Sequence, residues 1–374
     1  MTNVPAIRSV RAFCYRYPLL TPVETSFGRM LDRPAVYIRV EDEDGAVGWG
    51  EAWSNFPSVG AEHRARIIND ILAPAAAGFV ADEPAQLFHH LTDKFAVLAL
   101  QTGEHGPFAQ CIAGIDIAMW DLHAKRRSTA LWRLLGGRRN AIKVYASGIN
   151  PTGSAQMAEA ALRAGHRALK LKIGFGAARD HDNLASLRVV VGDGFLAADV
   201  NQGWTLDQAL TFAPPLEEFA LAWLEEPLRA DQPWATWQQL KARIRTPLAG
   251  GENITGREGF TQAIDAGVLG VIQPDVAKWG GITQCIEVAR AVIAAGKTFC
   301  PHYLGGGIGL LASAHLLAAV GGDGLLEVDF NHNPLRDLFA GPVGHVRDGI
   351  VELSDAPGLG IVPDLLQIET YRTA

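Results

Sequence analysis

Ala168-Leu-Lys-Leu-Lys-Ile173 is the stretch on which the reading of this chain turns. Residues two apart in a strand project to the same side, so Lys170 and Lys172 share one face while Leu169, Leu171 and Ile173 share the other. Two ammonium groups held that close repel, which is expected to lower at least one pKa and supply a base near neutral pH. Beyond Lys172 a polar residue closes each following apolar run: Asp199, Glu225, Glu252, Asp275, His302 and Glu327, at successive spacings of 27, 26, 27, 23, 27 and 25 residues. That is the length of one strand-plus-helix unit in a (β/α)8 barrel, whose active sites are built at the C-terminal ends of the strands.

Eight short apolar runs fit the ladder: Val144–Ser147, Ala168–Ile173, Phe195–Val200, Ala222–Leu224, Pro247–Ala249, Val271–Gln273, Thr298–Cys300 and Leu325–Glu327. Amphipathic stretches separate them, among them Gln156–Ala164, Ser186–Val191, Leu206–Phe219 and Thr283–Ala295. Alternation of this kind demands a parallel sheet, and eight strands close it. No eighth barrel helix follows Glu327. Gly349–Leu353 and Ala356–Pro363 read as β and loop, so the tail is expected to leave the barrel and return to the N-terminal unit. That unit reads as strands at Ile7–Tyr17, Ala35–Val40 and Ala46–Ala52, with a turn at Asp44-Gly45 and a polar loop over Thr21–Arg33. Helices are expected at Glu62–Leu72, Glu83–Leu98 and Pro107–Leu135. Strands and helices in separate blocks make a small α+β domain.

The 374 residues exceed one ordinary domain, and 48% hydrophobic with 20% charged residues provide for a large soluble core. A net charge of −7 excludes the electrostatic footprint of a nucleic-acid binder. The four cysteines form no CxxC pair, which points to reduced thiols in the cytoplasm. Neither a signal peptide nor an apolar run of about 18–20 residues is present, so no membrane association is expected.

The ladder carries chemistry. Asp199, Glu225 and Glu252 stand on three successive strand ends, and three converging carboxylates cannot all stay ionised without a cation; hard oxygen donors suit Mg2+. Asp275 beside His302 would fix the imidazole tautomer and raise its pKa, preparing a general acid or base. Glu327 could hydrogen-bond a substrate, and Asn201 could support a metal ligand or the substrate. Lys278 could also be catalytic, but three residues past its strand it reads rather as a loop charge. Gly305-Gly-Gly-Ile-Gly309 lacks GxGxxG spacing and reads as backbone clearance beside substrate rather than a phosphate cradle. The set fits removal of a proton from the carbon next to a carboxylate, with a metal and a lysine stabilising the charge that develops on its oxygens. Bases on two faces permit racemisation or epimerisation, whereas protonation of a departing β-hydroxyl gives dehydration. A Schiff-base aldolase on Lys170 or Lys172 is the alternative class, and the three carboxylates argue against it.

The motifs Lys170-Leu-Lys172, Asp199-Val-Asn201, Trp223-Leu-Glu-Glu-Pro227, Gly250-Gly-Glu-Asn253, Gln273-Pro-Asp-Val-Ala-Lys-Trp-Gly-Gly281 and Pro301-His302 together resemble the enolase superfamily, specifically its mandelate racemase subgroup. The helix Ala113–Leu122 resembles that family's interdomain linker. The resemblance covers nearly the whole chain. It implies Asp199, Glu225 and Glu252 as Mg2+ ligands, Lys172 as base on one face and the His302–Asp275 dyad on the other, with Lys170 neutralising the substrate carboxylate. Of the Glu225-Glu226 pair it makes the first the ligand; alternation along a strand supports only one of the two pointing inward. The implied fold is α/β: an α+β capping domain over residues 1–140, a modified TIM barrel (β/α)7β over 141–330, and a C-terminal segment, 331–374, returning to the cap. Lys172–Gly176, Glu327–Arg336 and Pro357–Ile361 further resemble enzymes acting on acid sugars, namely aldonate and aldarate dehydratases and a galactarolactone cycloisomerase. A small carboxylate substrate and a homo-oligomer are the expected partners. Specificity should come from the cap loops Thr21–Arg33 and Trp53–Val59. There, Arg29 or Arg33 could bind a second carboxylate, or Trp53 and Phe56 could form an apolar wall.

Overall fold

The structure, a computed structural model, describes residues 4–25 and 28–373. Three antiparallel strands, β1 (Ile7–Thr25), β2 (Gly28–Asp42) and β3 (Val47–Ala52), form the N-terminal sheet in the order β1-β2-β3. Alternation along β2 explains its place between two cores. Val36, Ile38 and Val40 join the core of the N-terminal unit, while Ala35 and Tyr37 face the barrel core. Helix His105–Arg126 lies flat on β3 because glycines remove the side chains between them. A Cβ on Gly50 would stand 2.0 Å from the Gly114 carbonyl oxygen. The same helix joins the two units: Asp116 accepts from Thr283 Oγ1 at 2.6 Å, and Asp121 accepts from the amides of Trp49 and Leu359.

The barrel strands are β4 (Ala141–Ile149), β5 (Ala168–Lys172), β6 (Phe195–Asp199), β7 (Leu224–Glu225), β8 (Leu248–Gly250), β9 (Leu269–Ile272), β10 (Thr298–Phe299) and β11 (Leu325–Asp329). All pair in parallel, in the order β10-β9-β8-β7-β6-β5-β4-β11. The two ends of this path meet where the Leu325 amide donates to Cys300 Sγ at 3.3 Å. Inside, Tyr145 and Trp223 alternate with Ala168, Ala197 and Ala249, large beside small, and plug the barrel beneath the strand ends. This is the expected modified TIM barrel with an N-terminal α+β cap. All four cysteines are free and buried.

Four expectations are corrected. The Thr21–Arg33 loop is largely a continuation of the β1–β2 hairpin, with Val23 opposite Met30 and Thr25 opposite Gly28; only its tip lies outside the described residues. The segment Pro107–Leu135 is not one helix. It breaks after Arg126, where Ser128 takes a φ of +51° so that Ala130 can bridge to Gly358. The expected Ala222–Leu224 strand is observed as Leu224–Glu225. The tail pairs first with the barrel, β12 (Ile350–Glu352) lying antiparallel to the start of β4, and only then reaches the cap, where the Thr373 amide donates to the Cys14 carbonyl. Among the described residues after β11, a four-residue helix, Pro334–Asp337, and a 3-10 turn stand where an eighth barrel helix would be.

Candidate active site

Backbone register alone sets three site residues side by side: Lys172 pairs with Asp199 across β5 and β6, and Asp199 with Glu225 across β6 and β7. Lys170, fully buried, places Nζ 2.5 Å from Glu225 Oε1, 2.9 Å from Glu327 Oε1 and 3.7 Å from Asp199 Oδ2. Lys172 Nζ donates to Asp199 Oδ2 at 2.6 Å and to Asn201 Oδ1 at 2.8 Å. Asn201 in turn donates its backbone N–H to Asp199 Oδ1 at 2.7 Å, from a residue with φ +47°. The expected depression of a lysine pKa is corrected. Burial pulls both ammonium groups down, but Glu225 and Glu327 carry Lys170 well above the usual value, and Asp199 carries Lys172 above it. Like-charge repulsion within the pair is outweighed by the carboxylates that face it.

On the other side, His302 Nδ1 lies 2.8 Å from Asp275 Oδ2, Nε2 lies 2.5 Å from Glu252 Oε2, and Glu327 Oε2 is 3.7 Å from Nε2. Asp275 Oδ1 is fixed by the backbone N–H groups of Ala277 and Lys278. Burial opposes the imidazolium, yet Glu252, Glu327 and Asp275 raise the His302 pKa well above its ordinary value, in the expected direction. Glu327 is pushed down to about 2: burial raises it, and Lys170 and His302 more than reverse that. Shared contacts connect all nine sequence-derived residues, Lys170, Lys172, Asp199, Asn201, Glu225, Glu252, Asp275, His302 and Glu327, in one network.

Several members escaped the sequence reading. Gln273 and Trp223 donate to Glu225 Oε2 at 2.8 and 3.0 Å, and the Ser147 hydroxyl donates to Glu327. Glu226 is buried as well, against simple alternation. Its φ of +38° turns the chain after β7, and its carboxylate accepts from Asn253 Nδ2 at 2.9 Å. Lys278 is no stray loop charge: its Nζ donates to Asn253 Oδ1 at 2.7 Å and lies 4.7 Å from the centre of the Trp53 ring. Adjacency to the ladder residues was the available signal for Gln273, Glu226 and Asn253. A cavity of about 230 Å³ opens above the network, lined by Lys172, Asn201, Glu252, His302 and Lys278 from the barrel and by Trp53, Asn55 and Phe56 from the cap. Arg33 takes no part in it. It is buried and pairs with Asp329 at 2.5 Å, while Arg29 is exposed on the hairpin.

Asp199, Glu225 and Glu252 offer hard oxygen donors from neighbouring strands, the set that suits Mg2+. Burial and the Asp199 charge, partly offset by Lys170, push Glu225 up to about 7; burial and Glu252 push Glu226 well up. A divalent cation would relieve that crowding, so the donor chemistry fits. Among the described residues no three His, Cys, Asp or Glu side chains are drawn together as a metal site. Each carboxylate is instead turned to an internal cation: Asp199 to Lys172, Glu225 to Lys170 and Glu252 to His302.

Comparison with known proteins decides the family. Residues 7–136 match the N-terminal domain of mandelate racemase / muconate lactonizing enzyme, and residues 154–367 match the enolase C-terminal domain-like family. The chain belongs to the mandelate racemase/muconate lactonizing enzyme family of the enolase superfamily. D-galactarolactone cycloisomerase of Agrobacterium fabrum is 32% identical over 95% of this chain and 96% of its own. Arabinonate dehydratase of Saccharolobus solfataricus is 28% identical over 87% of each. The crystal structure of a mandelate racemase/muconate lactonizing enzyme from Bordetella bronchiseptica RB50 superposes with a TM-score of 0.93 at 51% identity, covering 98% of this chain and 99% of that one. A racemase from Streptomyces coelicolor A3(2), solved with bound magnesium, gives 0.88 at 30% identity, covering 98% and 100%. The protein is therefore an enolase-superfamily enzyme, a lyase or isomerase.

Proposed function

We propose that this enzyme removes the α-proton of an acid-sugar carboxylate through an enediolate and, in its main reaction, eliminates the β-hydroxyl. The observation that carries the reading is the pairing of two unlike bases on one cavity: Lys172, held by Asp199 and Asn201, and His302, held by Asp275. Mg2+ on Asp199, Glu225 and Glu252 would supply electrostatic stabilisation of the developing carboxylate charge. Lys170 adds a buried positive charge beside the same carboxylates, which favour its protonated form.

Lys172 must shed its proton before acting as a base, and Asp199 is the group that holds that proton in place. In dehydration the α-proton passes to Lys172 or His302. The C–O bond at the β-carbon then breaks as His302 gives a proton to the leaving hydroxyl, releasing water. The resulting enol tautomerises to a 2-keto-3-deoxy acid. Glu327, 3.7 Å from His302 Nε2, would hydrogen-bond the substrate beside His302.

Cycloisomerisation of a sugar lactone is the second reading, favoured by the likeness to D-galactarolactone cycloisomerase across 95% of the chain. The same bases serve it, with elimination expelling the ring ester oxygen instead of hydroxide. Incubation with aldonates, aldarates and their lactones separates the outcomes by NMR. A 2-keto-3-deoxy acid from an open-chain acid supports the proposal, and products formed only from lactones favour the second reading. A change at the α-carbon alone, without loss of water, overturns dehydration in favour of racemisation or epimerisation.

A further inference from the structure

The glycine run Gly305–Gly309 holds a carboxylate after all, and it belongs to the chain itself. Glu51, 2% exposed on β3, accepts from the Gly306 amide at 2.5 Å and the Gly309 amide at 2.9 Å, at the start of helix Gly307–Val320. A Cβ on Gly306 would stand 2.6 Å from Glu51 Oε1, so the run has closed around this carboxylate. Two residues on, the Trp53 amide donates to the Ala277 carbonyl at 3.1 Å, and Asn55 Nδ2 donates to the Leu304 carbonyl at 2.6 Å. Ala277 lies two residues past Asp275, and Leu304 two past His302. One five-residue segment of the cap thus grips both loops of the dyad. The loop beyond Lys172 is tied differently: the amides of Gly174 and Phe175 donate to Asp180, within the barrel itself.

We infer that Glu51 is a positioning residue for the His302 face of the site. The cap clamps the dyad loops through β3, so proton transfer at His302 depends on Glu51 and proton transfer at Lys172 does not. This rests on the two-base reading above. A base held about 1 Å out of place by a distant change can lose about 100-fold in rate, which is the scale expected here.

The test measures α-deuterium wash-in from D2O in two backgrounds. His302-dependent exchange is read in Lys172→Ala, and Lys172-dependent exchange in His302→Asn. Adding Glu51→Ala is expected to cut the His302-dependent rate about 100-fold and to change the Lys172-dependent rate less than about 3-fold. Equal losses in both, or loss in neither, overturn the inference. Glu51→Met, similar in length and lacking the accepting oxygens, serves if the alanine variant fails to fold. Its amide hydrogen exchange, followed by mass spectrometry in the full-length protein, is expected to quicken at residues 275–279 and 302–309 and to stay unchanged at 172–176. Uniform or absent change contradicts the clamp. A wild-type enzyme that exchanges no α-proton of any acid would sink the two-base reading instead, and the hydrogen-exchange result would still decide the clamp.

Discussion

Lys172 and His302 differ in what holds them, and that difference is testable one residue at a time. Lys172 leans on Asp199 and Asn201 within the barrel, whereas His302 sits between Asp275, Glu252 and Glu327. Lys172→Ala and His302→Asn are each expected to abolish exchange at one face and spare the other. The solvent deuterium that remains should therefore appear with opposite stereochemistry in the two variants, read by NMR against chiral standards. Full exchange in both single variants would refute the two-base scheme. At this scale the sequence was informative because charged residues at strand ends have few alternative uses. Spacing alone brought out Asp199, Glu225, Glu252, Asp275, His302 and Glu327. What it could not weigh was the balance of burial against neighbours. Repulsion between the two lysines is outweighed by the carboxylates around them, and Lys278 is engaged by Asn253 and Trp53, contacts that carry no local pattern.

At the scale of elements, β3 is the strand whose importance escaped the sequence reading. Gly48-Trp-Gly-Glu51 reads as an ordinary returning strand, and nothing local shows that Glu51 will meet a helix start 255 residues away. Burial raises the Glu51 pKa to about 7, against hydrogen bonds from Gly309, Gly306 and Tyr303 that lower it; Asp275 adds a small upward push, and the Tyr37 hydroxyl lies alongside. The fold therefore favours the protonated acid. The stability this contributes is complete below the ordinary carboxyl pKa near 4.5 and is lost as pH rises to about 7. Wild type should accordingly lose about 3 kcal/mol relative to Glu51→Gln across that window and nothing further above it. Denaturant titrations of the two proteins at several pH values measure this, and a pH-independent difference would contradict it. Element boundaries failed for a related reason. Helix periodicity ran on through Arg126 into Leu135, whereas the chain breaks to let Ala130 meet Gly358, a contact far away in sequence.

On the scale of the whole molecule, cap and barrel are joined by buried polar contacts as well as apolar ones. Arg33 of β2 pairs with Asp329 at the end of β11, with Arg336 a further 3.5 Å neighbour of that carboxylate. Removing one partner of a buried pair strands the other. Arg33→Met is expected to cost about 3 kcal/mol in unfolding free energy, with Arg336 limiting the loss. Adding Asp329→Asn should recover at least half of it; a double variant no more stable than the single would show that the charge pairing is not the cause. The architecture itself was legible because a βα period sustained over eight strands has one economical closure. The cap's exact attachment was not, since it depends on contacts such as Glu51 with Gly306 and Arg33 with Asp329 that carry no local pattern.

The most direct test of the enediolate reading is α-proton exchange by the wild-type enzyme, with a panel of acid sugars in D2O containing Mg2+, with and without EDTA. Wash-in of deuterium or a 2-keto-3-deoxy product, lost with EDTA and in a Lys172→Ala/His302→Asn double variant, is the expected result. Turnover that survives both chelation and the double variant would contradict the account.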